Sequence, residues 1–186
     1  MQIEWIALAV VALFGIYVIV IFNRLVSGRN RVREGWSGID VQLRRRSDLV
    51  PNLVEVVKSY AAHERALFED IARKRTSALA ASDVNGKAAA EHELQGSLRR
   101  LLALAEAYPE LKANQNFLAL QHQLAELEDQ LQMARRYYNG TVRDYNISIQ
   151  QFPDLLIART TGFREEPFFQ IDDAAAANPS VAFQGS

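Results

Sequence analysis

Three histidines, His63, His92 and His122, together with the carboxylates near them, are the residues of this 186-residue chain best suited to hold a metal or move a proton. His63-Glu64 opens like a zinc-protease helix, in which two histidines one turn apart bind the ion and the intervening glutamate acts as base. That arrangement puts the second histidine at position 67, which is Leu67. A di-iron bundle needs glutamate three residues before histidine, and those positions are Tyr60, Ala89 and Ala119. The chain has no cysteine, and it contains neither a G-x-S-x-G elbow nor a glycine-rich phosphate loop. Glu91/Glu93 and Glu126/Glu128 stand two apart, which turns the members of each pair to different sides of a helix, so they read as solvent charge. These residues support no catalytic, cofactor or metal site, and the chain is read as non-enzymatic.

The elements that would position such residues begin with WIALAVVALFGIYVIVIF at 5–22, eighteen positions without a charge. At ~1.5 Å per residue this run is long enough to cross a hydrocarbon core of about 30 Å. A cleaved signal peptide would have a basic start and a small-residue cleavage site; here the start is Met-Gln-Ile-Glu, and Phe22-Asn23-Arg24 offers no such site. The expectation is one uncleaved span over residues 1–23, with Trp5 at the interface.

Arg24, Arg29, Arg31 and Arg33 follow the run directly, against only Glu4 and the terminal amine on its other side. Excess basic charge stays on the cytoplasmic side, so the N-terminus is expected outside and the soluble domain in the cytoplasm. A net charge of −1 excludes a general nucleic-acid binder, whose affinity rests on phosphate contacts.

Beyond the span, helical periodicity is nearly continuous. Val32, Trp36, Ile39, Leu43 and Val50 form a stripe on a helix leaving the membrane. Pro51 predicts a kink or a restart between Asp48 and Asn52, capped by Ser47 or Asp48. A second stripe, Leu53, Val56, Val57, Tyr60, Leu67, Phe68 and Ile71, ends at the turn composition Ser82-Asp83-Val84-Asn85-Gly86. A third helix covers about 87–107, and Tyr108-Pro109 breaks it. The longest pattern, from Phe117 through Leu124, Leu131, Tyr138 and Tyr145 to Ile149, has heptad-like spacing as in a coiled coil and predicts a helix ~55 Å long, stopped by Phe152-Pro153.

A short helix at 154–159 closes at Gly162, and Phe163, Phe168, Phe169 and Ile171 are expected to pin the chain back onto the helices. Residues 172–186 are expected to be disordered. If the prolines only kink their helices the domain is a two-armed hairpin, and if they reverse the chain it is compact. The expected fold is all-α, a transmembrane helix continuing into an elongated antiparallel four-helix bundle over 24–171.

Two stretches carry a resemblance to a known family. NRLVSGRNRVREGWSGIDVQLRRRSDLVPNLVEVVKSYAAHE at 23–64 and AEAYPELKANQNFLALQHQLAELEDQLQMARRYYNGTVRDYNISIQQFP at 105–153, with the closing Thr161-Gly162-Phe163, resemble the LemA family. The resemblance implies a bacterial protein with one N-terminal span and a helical cytoplasmic domain, and it brings no reaction, substrate or cofactor.

Gly28, Gly35 and Gly38 lie on the first helix beyond the span, where each costs about 1 kcal/mol of propensity against alanine. Close packing around Trp36 explains them, and a flexible joint is the alternative.

Recognition is what remains. Arg24, Arg29, Arg31 and Arg33 fall within the first ~14 Å beyond the bilayer and suit anionic headgroups, or simply fix topology. Arg44, Arg45 and Arg46 span about 200° of a helix, so at least one faces away from the core, toward Asp40, Asp48 or a partner's acids. Arg135, Arg136, Tyr137, Tyr138, Asn139, Arg143, Asp144, Tyr145 and Asn146 suit internal hydrogen bonds that set register, or a protein-binding patch with Arg136 and Arg143 as contacts. The expected role is a membrane-anchored scaffold or adaptor that associates with copies of itself. A sensor or regulator binding a partner membrane enzyme, such as a protease, is the alternative.

Overall fold

In a computed structural model, which describes residues 2–170, the chain forms six helices and, among the described residues, no strand. They are α1 (Gln2–Lys58), α2 (Arg65–Ala80), α3 (Val84–Glu106), α4 (Pro109–Lys112), α5 (Gln115–Gln150) and α6 (Asp154–Thr161). Residues 163–170 follow as a segment without regular structure, here called the strap. The all-α reading holds, and the helices are unequal. Residues 172–186, expected to be disordered, and Ile171, expected to help pin the chain, lie outside the described residues.

The 57-residue α1 is ~85 Å long. Through residue 20 its side chains are exposed, apart from a half-buried Val18. Among the described residues it is the one helix long and apolar enough to cross a membrane. Burial starts at Ile21 and recurs every three or four residues through Leu25, Val32, Ile39, Leu43, Val50, Leu53 and Val57. Apolar run and core-facing stripe therefore belong to one unbroken helix.

Of the two outcomes expected at Asp48 to Asn52, a kink or a restart, the restart does not occur: α1 passes through Pro51 as one helix, and the chain does not reverse there. It lies on the exposed side of α1. Its missing N–H leaves the Ser47 carbonyl without the donor four residues on, and Arg75 of α2 fills that place, Nε donating to Ser47 O at 2.7 Å. The reversal comes at 59–64, so the stripe that seemed to run from Leu53 to Ile71 belongs to two helices, and His63 lies in the turn between them. Pro109 does break the chain as expected, standing at the first position of the one-turn α4.

α1 and α5 run antiparallel along the whole domain: Gly28 faces Tyr145, Gly35 faces Tyr138 and Arg46 reaches Glu128. α2 and α3 form an antiparallel hairpin, with Asp70 against Ser97 and Arg100 and Lys74 against Glu93. The hairpin covers only the half of α1 and α5 remote from the apolar run. Two cores result. The remote one joins Val50, Leu53, Phe68, Ile71, Leu94, Leu101 and Phe117. The near one joins Ile21, Leu25, Ile39, Tyr138, Tyr145 and Ile149 with Ala158, Phe163 and Phe169, and takes in Ala88 from the start of α3.

Local signals set the helix ends. Asp83 caps α3 by accepting from Gly86 N, and Asn114 caps α5 by accepting from Asn116 N and Phe117 N. Gly162 closes α6 in the left-handed region at φ 77°, a conformation that glycine adopts without strain.

Candidate functional site

The half of the domain next to the apolar run carries most of the residues singled out by the sequence, and the strap organises them. Asn139 and Asn146 are two turns apart on one face of α5. The Asn146 side chain donates to Glu166 O and accepts from Glu166 N, both at 2.9 Å. Asn139 does the same with Phe169, donating at 3.2 Å and accepting at 2.9 Å. The Tyr138 hydroxyl donates to Pro167 O at 2.8 Å. Seven residues of helix and three of extended chain each rise ~10 Å, so the asparagine spacing matches the strap without distortion. Pro167 holds Glu166 in the extended region.

Rings fix the ends of the strap. Phe169, fully buried, packs 5.8 Å from Trp36, which packs 5.7 Å from Tyr138. Phe163 meets Phe22 edge-on at 5.8 Å, with the Arg29 guanidinium 4.9 Å over its ring. Phe168, expected to help pin the chain, is instead 39% exposed. Burial, with a smaller effect from Glu166, pushes the Tyr138 hydroxyl up to about 12, so it stays a donor throughout the physiological range. Burial likewise raises Tyr145.

Of the expected surface-binding arginines, Arg24 pairs with the buried Asp154 at the start of α6 while keeping an exposed side chain. Arg29 is half-buried over Phe163, and Arg31 and Arg33 are exposed. Arg24 and Arg31 line one small cavity of about 120 Å³ with Gly28, Thr141, Asp144 and Tyr145.

The three consecutive arginines separate. Arg44 pairs with Asp40 at 2.8 Å on the surface, and Arg45 is exposed beside Asp48 and Asn52. Arg46, expected as a partner contact, is 1% exposed. It bridges Glu91 of α3 and, at 2.6 Å, Glu128 of α5. Glu91 and Glu128 are therefore not solvent charge: one acid of each two-apart pair turns inward because the helix rotates ~200° between them. Burial alone would lower the Arg46 pKa, but the two carboxylates outweigh it and the pKa is raised. The pairing across three helices was hidden because it depends on tertiary register.

Arg136 and Arg143 remain exposed and line one shallow depression with Asn139, Gly140 and Phe168. The polar-aromatic set thus divides. Tyr138, Asn139 and Asn146 make internal hydrogen bonds, whereas Arg136, Tyr137 and Arg143 face outward. The glycines divide too. A Cβ at Gly35 would lie 3.1 Å from Tyr138 Cα and one at Gly28 would lie 3.2 Å from the Tyr145 ring, while Gly38 has open space. Gly28 and Gly35 thus pack closely against α5, Gly35 on the same Tyr138 that Trp36 meets. His63, His92 and His122 are exposed on separate parts of the surface, and no group of three metal-capable side chains occurs among the described residues.

A model of the LemA family matches residues 35–183. The chain is also similar to the magnetosome proteins MamQ 1 and MamQ 2 of Paramagnetospirillum magneticum, each 27% identical over 175 residues, covering 80% of this chain and 64% of the relative. Magnetosome protein MamQ of Magnetospirillum gryphiswaldense is 24% identical over 174 residues, with the same coverage. The chain therefore spans 64% of the length of these relatives.

Proposed function

We propose, from the premise that this chain belongs to the LemA family, that it is a non-enzymatic, membrane-anchored scaffold or adaptor that holds a helical domain directly against the cytoplasmic face of a bacterial membrane. The observation that carries the reading is the continuity of α1, whose apolar run passes into the core-facing stripe at Ile21 with no linker between. A mere tether would tolerate a flexible connection. Here the arginines after the run are fitted into the domain itself, Arg24 through Asp154 and Arg29 through Phe163. Arg31 and Arg33 are left for anionic headgroups, each adding about 1 kcal/mol of attraction. Arg46, Asp70 and Tyr138, whose protonation equilibria are displaced, hold helices or the strap together, which suits structural work better than catalysis.

Self-association is the expected mode of assembly. A second reading, regulation of a partner membrane enzyme, draws on the exposed Arg136, Tyr137 and Arg143, since tyrosine and arginine are favoured interface anchors. Crosslinking in intact bacteria followed by mass spectrometry distinguishes the two. A scaffold recovers chiefly itself, and a regulator recovers one other protein. Detergent-solubilised protein that stays monomeric at high concentration would refute self-association.

A further inference from the structure

Beyond residue 23, the two most exposed large apolar side chains among the described residues are Phe152, 79% exposed, and Leu156, 57% exposed. Both belong to the elbow where α5 turns into α6. The antiparallel register fixes their height. Gly28 faces Tyr145 and Gly35 faces Tyr138, and carried seven residues further the same register sets position 152 level with Ile21, inside the last turn of the apolar run. The elbow thus lies at the depth where α1 itself passes from apolar to basic.

The placement of α6 agrees. Its first residue, Asp154, pairs with Arg24, and Ala158 in its middle is buried in one core with Ile21 and Leu25. Phe163, just beyond its end, packs on Phe22 and under Arg29. These contacts hold α6 at the junction of the apolar run and the arginines that follow it, and they leave Leu156 and Arg159 exposed.

We propose that the α5–α6 elbow is a second membrane contact, with Phe152 and Leu156 seated at the boundary between headgroups and acyl chains and α6 serving as a foot. The occupant is the bilayer because these side chains continue the apolar surface that α1 already presents at Ile19, Val20 and Phe22. Arg24 and Arg159 beside them provide the basic flank typical of interfacial helices. A span alone leaves the domain free to rotate about the helix axis, and a foot to one side removes that freedom. The proposal rests on α1 crossing the membrane.

The absence of cysteine makes spin labelling clean. Four single substitutions in the full chain, Phe152→Cys, Leu156→Cys, Leu13→Cys and Tyr137→Cys, are labelled with a nitroxide and reconstituted in phosphatidylcholine–phosphatidylglycerol vesicles. Collisional accessibility to oxygen and to a nickel chelate is then compared. The expected result is the deepest label at 13, an aqueous label at 137, and labels at 152 and 156 whose oxygen access rises and nickel access falls relative to 137. Labels at 152 and 156 that match 137 while 13 stays deep overturn the foot and leave the anchor standing. Low access to both reagents at 152 and 156 means protein covers them, which also overturns it. An aqueous label at 13 removes the anchor, and the foot with it.

Discussion

Arg75 of α2 donates its Nε–H to the carbonyl of Ser47, the group in α1 that Pro51 leaves without its helical partner. A side chain from a neighbouring helix thus completes the backbone of α1 and lets a proline sit inside a helix of 57 residues. The two residues should be energetically coupled. Arg75→Ala should cost ~1.5–3 kcal/mol, the range for a hydrogen bond to a charged group. In a Pro51→Ala background, where residue 51 again donates to Ser47, the cost should be smaller. A double-mutant cycle by urea denaturation measures the difference, and strict additivity would disprove the compensation.

The buried Arg46 should respond asymmetrically. Arg46→Met leaves Glu91, 2% exposed, without its counter-charge and should destabilise by ~3–5 kcal/mol. The triple change Arg46→Met, Glu91→Leu, Glu128→Leu should recover most of that loss, because it removes both the charges and their desolvation penalty. Thermal and urea unfolding followed by circular dichroism report both. A triple variant no better than the single one would mean that the ion pairs contribute more than their desolvation costs.

Asn139 and Asn146 should hold separate points of the strap. Asn146→Ala should raise hydrogen exchange at the Glu166 amide, and Asn139→Ala at the Phe169 amide, each losing about 1–3 kcal/mol of local protection because a formerly bonded group is left without its partner. Unchanged exchange at both amides would show that the aromatic anchors alone retain the segment.

The glycines of α1 should differ in sign. Gly38→Ala enters open space on an exposed helical position and should stabilise by ~0.5–1 kcal/mol. Gly35→Ala places its methyl against the Tyr138 backbone and should destabilise. Two stabilising substitutions would indicate that α1 and α5 are not held at this separation.

Asp70 should contribute a defined acid limb to stability. Hydrogen bonding from Ser97, with help from Lys74 and Arg73, holds its carboxyl down to about 2 from an ordinary 3.8. Because the folded pKa is the lower one, the stabilisation is complete above about pH 4 and is lost as pH falls through 2. The stability difference between the parent chain and Asp70→Asn should therefore be constant from pH 7 to about 4 and shrink below it. A difference that narrows only above pH 5 would assign the acid sensitivity to another group.

Much of this organisation is legible in the residues. The uncharged run at 5–22, the stripe from Phe117 to Ile149, the turn composition around Asp83 and the closing Gly162 are local signals, and each marks its element. Asn139 and Asn146 stood out in a set that suited either internal hydrogen bonds or a binding patch, and they take the first role. Pro51 left open a restart that does not occur, because its compatibility with a helix is supported by Arg75, which lies 24 positions away. Glu91 misled for the same reason: nothing adjacent to it in sequence announces that Arg46 will be opposite. What was hidden is in each case a polar group satisfied by a distant helix, which periodicity does not encode.

The unbroken course of α1 turns the domain into a lever. About 37 residues lie beyond Ile21, ~55 Å of rod. With the apolar run seated in a bilayer as proposed, a change of 10° in its tilt would sweep the Lys58 end by ~10 Å. Apolar helices tilt when the bilayer thins around them, so a variation of a few ångströms in lipid thickness is converted into a lateral displacement several times as large at the remote tip.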